Sequence, residues 1–233
     1  MIIGIVVALP EEVSTLTRAK PAQGDCVAIS ENTLLCFAGA GPINAERATQ
    51  NLINQGATHL ISWGCAAALS PELKPGHLVL ASGIKSDNQY FNSDAKWIQH
   101  LHDLLSPNLN LSAANLAASK ELVATSQEKR HVFQQTGAVG LDMESGAIAK
   151  LAQTNGLAFV AIRAIADPAS MDLPNAIAHS LNDNGQVILS RLLTYLISHP
   201  WEIPSLIKLG LHFNAAQKTL KTVALQLNAF VNF

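Results

Sequence analysis

This chain is short of charge. Asp, Glu, Lys and Arg make up 14% of its 233 residues, against 48% hydrophobic. With a net charge of -2 and a pI near 6.4 it has no basic footprint for nucleic acid. Aromatics are scarce, at 5%. The three cysteines, Cys26, Cys36 and Cys65, are an odd number without C-x-x-C spacing, which argues for a reducing cytoplasm over a disulfide framework. No uninterrupted apolar run reaches transmembrane length. The start, Met1-Ile2-Ile3-Gly4-Ile5-Val6-Val7-Ala8, lacks a basic region and meets acids at once, so it reads as a first strand rather than a signal peptide. There is no G-x-S-x-G elbow, no Walker loop and no G-x-G-x-x-G. His100 and His102, the only close histidine pair, read as a solvated helix face, and no metal is expected.

What is present fits one large α/β domain with an ample core. Strands are predicted near Ile2–Ala8, Cys26–Ser30, Thr33–Ala38, Leu60–Trp63, His77–Ala81, Val139–Leu141 and Leu157–Ile165. Helices are predicted over Glu11–Arg18, Ile43–Gln55, Ala95–Leu105, Gln127–Gln134, Met143–Thr154 and Asn175–Ser198. The alternation implies a mixed, mainly parallel sheet. Asn108 to Ser119, polar and small, is predicted as a loop. Residues 1–199 read as the catalytic domain. Residues 200–233 read as an apolar helical extension, broken at Pro200 and Pro204, that belongs to the same domain or to an interface. Low charge and a mean hydropathy of +0.21 imply that a partner covers apolar surface, most simply a second copy in a homodimer.

Three acidic positions stand out. Asp142 and Glu144 open a small-residue helix, and Asp167 follows the apolar run Leu157 to Ile165. Carboxyl ends of parallel strands are where open α/β sheets build their sites. Glu11 and Glu12, just after Pro10, lie at the end of strand one on the same face. Each has a local explanation as a cap, a first-turn acid or a turn starter; their convergence is what argues for acid–base chemistry on a small polar ligand. Two small-residue loops, Gly39-Ala40-Gly41-Pro42 and Gly64-Cys65-Ala66-Ala67-Ala68, would admit a ligand against the backbone. Cys65 is a conceivable nucleophile, but nothing places a histidine beside it, and it reads better as a small apolar filler.

Across essentially its whole length the chain resembles the superfamily of nucleoside phosphorylases and methylthioadenosine/S-adenosylhomocysteine nucleosidases. The segments that carry the resemblance are Gly4 to Val13, Gly39-Ala40-Gly41-Pro42-Ile43-Asn44-Ala45, Gly64-Cys65-Ala66-Ala67-Ala68-Leu69, Asp142-Met143-Glu144 and Arg163-Ala164-Ile165-Ala166-Asp167. Gln127-Glu128-Lys129-Arg130, Thr136-Gly137-Ala138 and the tail Pro200-Trp201-Glu202-Ile203-Pro204 make it most similar to the hopanoid-associated phosphorylases, which are associated with removing adenine from adenosylhopane to leave ribosylhopane. The resemblance implies a three-layer sandwich and hydrolytic release of adenine from a 5′-substituted adenosine, without metal or organic cofactor.

The same resemblance assigns roles. Asp167 matches the acid that protonates the purine at N7, and Glu12 the base that activates water. Glu144 matches the carboxylate that grips ribose hydroxyls, with Met143 against the sugar and Arg163 near the attacking water. Cys65, Ala66, Ala67 and, loosely, Val123 fall at the substrate. There are departures: Ala67 and Ala68 replace glycines, Cys65 a serine, and Ala166 a serine that helps orient the acid. Phosphate-using relatives carry a Gly-Asp-Pro-x-Arg loop where this chain has Ala8 to Glu12, and an arginine where it has Ser62, so hydrolysis is favoured over phosphorolysis. A non-enzymatic nucleoside- or lipid-binding role is the alternative from a different class. The segment Trp201 to Phe213 is expected to shield a hydrocarbon or meet a membrane surface, in which case truncation before Pro200 would spare cleavage of methylthioadenosine.

Overall fold

In a computed structural model the chain is described over residues 1–182 and 187–231. The strands are β1 (Ile3–Val7), β2 (Cys26–Ser30), β3 (Thr33–Phe37), β4 (His59–Ala68), β5 (Leu78–Ser86), β6 (Gln89–Asn92), β7 (Leu111–Ala118), β8 (Gly140–Asp142) and β9 (Ala158–Asp167). The helices are α1 (Pro10–Leu16), α2 (Pro42–Asn54), α3 (Ala95–Leu105), α4 (Ser126–Thr136), α5 (Ser145–Thr154), α6 (Asn175–Ser180), α7 (Leu189–Ser198) and α8 (Ile203–Ala224).

One mixed sheet runs in the order β2-β3-β1-β4-β8-β7-β5-β6, and β9 lies between β4 and β5. The pairings β4–β8, β8–β7, β7–β5, β5–β9 and β9–β4 close five strands into a ring. Strand β1 is parallel to both β3 and β4, and β4 is parallel to β9. The carboxyl ends of β1, β4 and β9 therefore emerge at one edge.

Alternation along the strands fills two cores. Ile3, Ile5, Val7, Ile61, Trp63 and Ile162 face one side with Trp97 and Leu101 of α3 and Leu220 of α8. Val6, Leu60, Ala161 and Ile165 face the other with Leu52 of α2 and Ile148 of α5. That gives helix, sheet and helix layers, the predicted sandwich. Fully burying one such aliphatic side chain stabilises the fold by about 1.5–3 kcal/mol.

Several elements differ from the sequence reading. The predicted loop Asn108 to Ser119 contains β7, sealed between β5 and β8. Residues 64–68 continue β4 instead of forming a loop, with an irregularity between Ala66 and Ala67 in the pairing to β9. The single helix expected over Asn175–Ser198 is two, because α6 stops at Ser180 and Leu181 bridges back to Val187. Cys26 and Cys36 face each other across the β2–β3 ladder with their sulfurs in contact.

The end of the chain is tied into the body. Ala216, Leu220, Val223 and Phe230 are buried in the first core. The Trp97 indole N–H donates to the Phe230 carbonyl at 3.1 Å. No helix among the described residues is long and apolar enough to cross a membrane.

Candidate active site

The site grows out of the β1–β4–β9 edge. Leu9 follows β1 and Pro10 opens α1, so the chain turns directly from strand to helix and leaves Glu12 in the first turn. Its carboxylate folds back instead of facing water. Oε2 accepts from the Leu9 N–H at 3.1 Å, and Oε1 accepts from the Cys65 N–H on β4 at 2.7 Å. Glu12 is buried, and burial pushes its pKa up to about 7 against the pull of Arg163 and the two amides.

Gly64 makes this approach possible. A Cβ built there would lie 2.5 Å from both Glu12 Oε1 and Arg163 Nη1. Only a residue without a side chain leaves both the carboxylate and the guanidinium room to lie against β4 at this point.

Arg163, opposite Gly64 in the β4–β9 register, is buried at 1% exposure. Its Nε pairs with Asp142 Oδ2 at 2.8 Å, and Nη2 lies 3.7 Å from Glu144 Oε2. Nη2 also donates to Ser62 Oγ at 2.6 Å and to Ser145 Oγ at 3.3 Å, and Nη1 to the Cys65 carbonyl at 3.5 Å. A buried guanidinium is tolerated where opposite charge and hydrogen-bond acceptors surround it.

Asp142 ends β8 and does not open a helix together with Glu144, as the sequence suggested. Its Oδ1 accepts from the Glu144 and Ser145 N–H groups at 3.0 and 2.8 Å, which starts α5 at Ser145. Ser145 Oγ also donates to Asp142 Oδ2. Asp142 is thus spent on structure. Glu144 Oε1 accepts from the Gly41 N–H at 2.8 Å, where a φ of +93° makes glycine the natural occupant. Burial raises the Glu144 pKa, opposed by Arg163.

Asp167 ends β9 opposite Ala67. Its partner is a residue that sequence reasoning missed as part of the site: Lys129 of α4, fully buried, with Nζ 2.6 Å from Asp167 Oδ2. Asp167 Oδ1 is buried without a hydrogen-bond partner. Burial raises the Asp167 pKa, and Lys129 pulls it back part of the way. The one available signal was local, since Thr125 and Glu128 form a capping box that fixes where α4 begins and so which face Lys129 occupies.

The remaining predicted positions fall at or beside this edge. Ala66 is buried, and Cys65, Ala67 and Met143 are half-buried. The Cys65 thiol is pushed well above its ordinary pKa by burial and by Glu12, which makes it a poor thiolate nucleophile. Val123 packs against Leu69, Ala117, Ala138 and Leu141 and lines an open cleft of about 700 Å³ along α4. No cluster of three or more His, Cys, Asp or Glu able to hold a metal occurs among the described residues.

Three buried carboxylates thus gather here, Glu12 and Glu144 within the field of the buried Arg163 guanidinium and Asp167 on the Lys129 ammonium. A family model described as the phosphorylase superfamily matches residues 2–194. No curated protein matches the chain. Among solved structures, the chain is similar to the futalosine hydrolase of Helicobacter pylori (TM-score 0.70, 15% identity, covering 99% of this chain and 97% of that one). It is similar to the 5′-methylthioadenosine/S-adenosylhomocysteine nucleosidase of the same organism, solved with butyl-thio-DADMe-Immucillin-A (0.71, 15%, 99% and 97%). It is also similar to the corresponding nucleosidase from S. pneumoniae with a transition-state inhibitor (0.71, 19%, 99% and 98%). At these identities the likeness is one of fold.

Proposed function

Because the chain belongs to the phosphorylase superfamily, we propose that this strand edge is an active site that hydrolyses the N-glycosidic bond of a 5′-substituted adenosine and releases adenine. Asp167 gives its proton to N7 as the bond to the ribose breaks, so the electron pair leaves with a neutral base. Glu144 holds ribose hydroxyls, Met143 packs against the sugar, and the nearby carboxylates favour the oxocarbenium-like transition state. Water adds to C1′ and passes its proton to Glu12, whose pKa of about 7 matches a general base working near neutrality. Cys65, Ala66, Ala67 and Val123 form the wall around the base.

One observation carries water over phosphate as the acceptor. Arg163 is committed to Asp142, Glu144, Ser62 and Ser145, and Lys129 to Asp167. An incoming phosphate dianion would meet the Glu12 carboxylate while these two buried cations are already paired.

The finer reading concerns the 5′ group. Solved relatives are named for methylthioadenosine, S-adenosylhomocysteine and futalosine, and the first two share with adenosylhopane the adenosine half that would react. A hydrocarbon-bearing substrate, adenosylhopane converted to ribosylhopane, is favoured by the outer surface. Leu189, Leu193 and Ile197 of α7 and Ile203, Ile207 and Leu211 of α8 are exposed at helical spacing, with Trp201 at the bend between them. From residue 187 onward the chain carries four basic residues and one acid, Glu202, in a molecule of net charge -2. Exposed apolar stripes with basic residues and almost no acid suit the interface of an anionic membrane, and the protein is read as cytoplasmic, peripheral to such a surface. Ile43, Tyr90 and Leu122, also exposed, remain for a homodimer. Assaying free adenine from methylthioadenosine, S-adenosylhomocysteine and adenosylhopane tests this reading. Highest kcat/KM on adenosylhopane is expected, and release from the other two alone would reassign the substrate.

A further inference from the structure

We infer that Lys129 is the positioning residue of the leaving-base acid, holding one carboxyl oxygen of Asp167 so that the other is left for the purine. The inference rests on the reading of Asp167 as that acid. Lys129 is fully buried, and an ammonium group is kept out of water only where its donors are satisfied. Here three donors meet three acceptors: Asp167 Oδ2 at 2.6 Å, the Met171 carbonyl at 2.7 Å and the Pro168 carbonyl at 3.2 Å. The two carbonyls belong to the turn that leaves β9, so the lysine clamps the acid and its own backbone turn together.

Among the described residues no other side chain pairs with Asp167. Ala166, beside the acid, has no polar side-chain atom. Asp167 Oδ1 has no partner and is shielded from bulk solvent. The carboxyl is thereby divided, with Oδ2 tethered and Oδ1 free. A carboxyl able to rotate would spend part of its time with neither oxygen toward N7, and orientation of the reacting group is a large part of catalytic efficiency.

The clamp also keeps its own geometry. The N-terminal turn of α4 is stitched to the same segment by the Ser126 N–H on Asp172 Oδ1 at 2.6 Å and by the Leu173 N–H on the Ala124 carbonyl at 2.8 Å. Thr125 and Glu128 close the capping box beneath it.

Charge is the second part of the role. Burial raises the Asp167 pKa, Lys129 lowers it, and Asp172, the other charged group acting on it, raises it. Without the ammonium the acid becomes weaker and holds its proton to higher pH. A neutral residue at 129 is therefore expected to move the limb of the kcat profile that reports Asp167 upward in pH.

The test compares Lys129→Met, Lys129→Gln, Lys129→Arg and Asp167→Asn in the full-length protein, with methylthioadenosine as probe and adenine release followed from pH 5 to 10. Lys129→Met is expected to lose about 10- to 100-fold in kcat, a part of the 10²–10⁴ that a general acid contributes, with little change in KM and one limb shifted to higher pH. Lys129→Gln can keep the hydrogen bond without the charge and is expected to show the same shift even if the methionine variant fails to fold. Lys129→Arg is expected to keep the wild-type limb and to recover much of the turnover. Unshifted limbs in folded Gln and Met variants, or an Arg variant as impaired as Met, would overturn the inference while leaving the acid in place. Near-native turnover by Asp167→Asn would instead remove the reading beneath it.

Discussion

At the residue scale the account turns on two buried carboxylates with opposite duties. Asp167→Asn is expected to lower turnover by about 10²–10⁴, because an amide cannot deliver the proton that makes adenine a leaving group. Glu12→Gln is expected to be comparably impaired through loss of the base. Both losses are read from initial rates of adenine release, with circular dichroism confirming the fold. Glu12 also has a testable charge state. Its pKa of about 7 means that the free protein binds a proton there below neutrality and releases it above. The infrared carboxylic acid band is expected to fade across that pH range and to lose this component in Glu12→Gln; a band already absent at pH 5 would contradict the assignment. Glu12, Glu144 and Asp167 stood out in the sequence because each falls at a strand end or helix start, whereas Arg163, inside β9, was singled out only through the family resemblance. Lys129 did not stand out, since a lysine in a polar helix, Ser126–Thr136, reads as solvent-facing until the β9 turn is seen to cover it.

At the element scale, β4 is the organiser. It is parallel to β1 on one side and β9 on the other, so it brings the Glu12 and Asp167 ends to one edge, and Gly64 is where the Glu12 carboxylate and the Arg163 guanidinium both lie against it. Gly64→Ala puts a methyl group 2.5 Å from both Glu12 Oε1 and Arg163 Nη1. The two charged groups must separate, and activity is expected to fall at least ten-fold while the strand persists, because the clash is with side chains. An unimpaired variant would mean that the close approach of these two side chains to β4 is not needed. The predicted loop over Asn108 to Ser119 shows why some elements were hidden. Strand β7, with the sequence Leu-Ser-Ala-Ala-Asn-Leu-Ala-Ala, has no β-branched or aromatic residue, and pairing on both edges overrides its weak propensity. The glycine and alanines of 64–68 misled in the same way, and the long apolar run Leu157 to Ile165 did not.

At the scale of the whole molecule, the closed ring of strands makes a rigid body, and α7 with the first half of α8 is its least covered part. The second half of α8 carries Ala216, Leu220 and Val223 in the core, so truncation before Pro200 would remove core and cannot isolate the role of the exposed face. Point changes can. Leu193→Glu with Ile207→Glu is expected to abolish co-sedimentation with vesicles containing anionic phosphatidylglycerol while leaving methylthioadenosine cleavage unchanged. Wild-type protein that ignores such vesicles, or a double variant that instead converts a dimer to a monomer by light scattering, would assign this face to another copy. Water as the acceptor is tested by the identity of the sugar product. With methylthioadenosine as substrate, adenine and the free 5-methylthioribose are expected in equal amounts, at a rate unaffected by added phosphate. A sugar 1-phosphate formed in proportion to adenine, at a rate that climbs with phosphate, would contradict it.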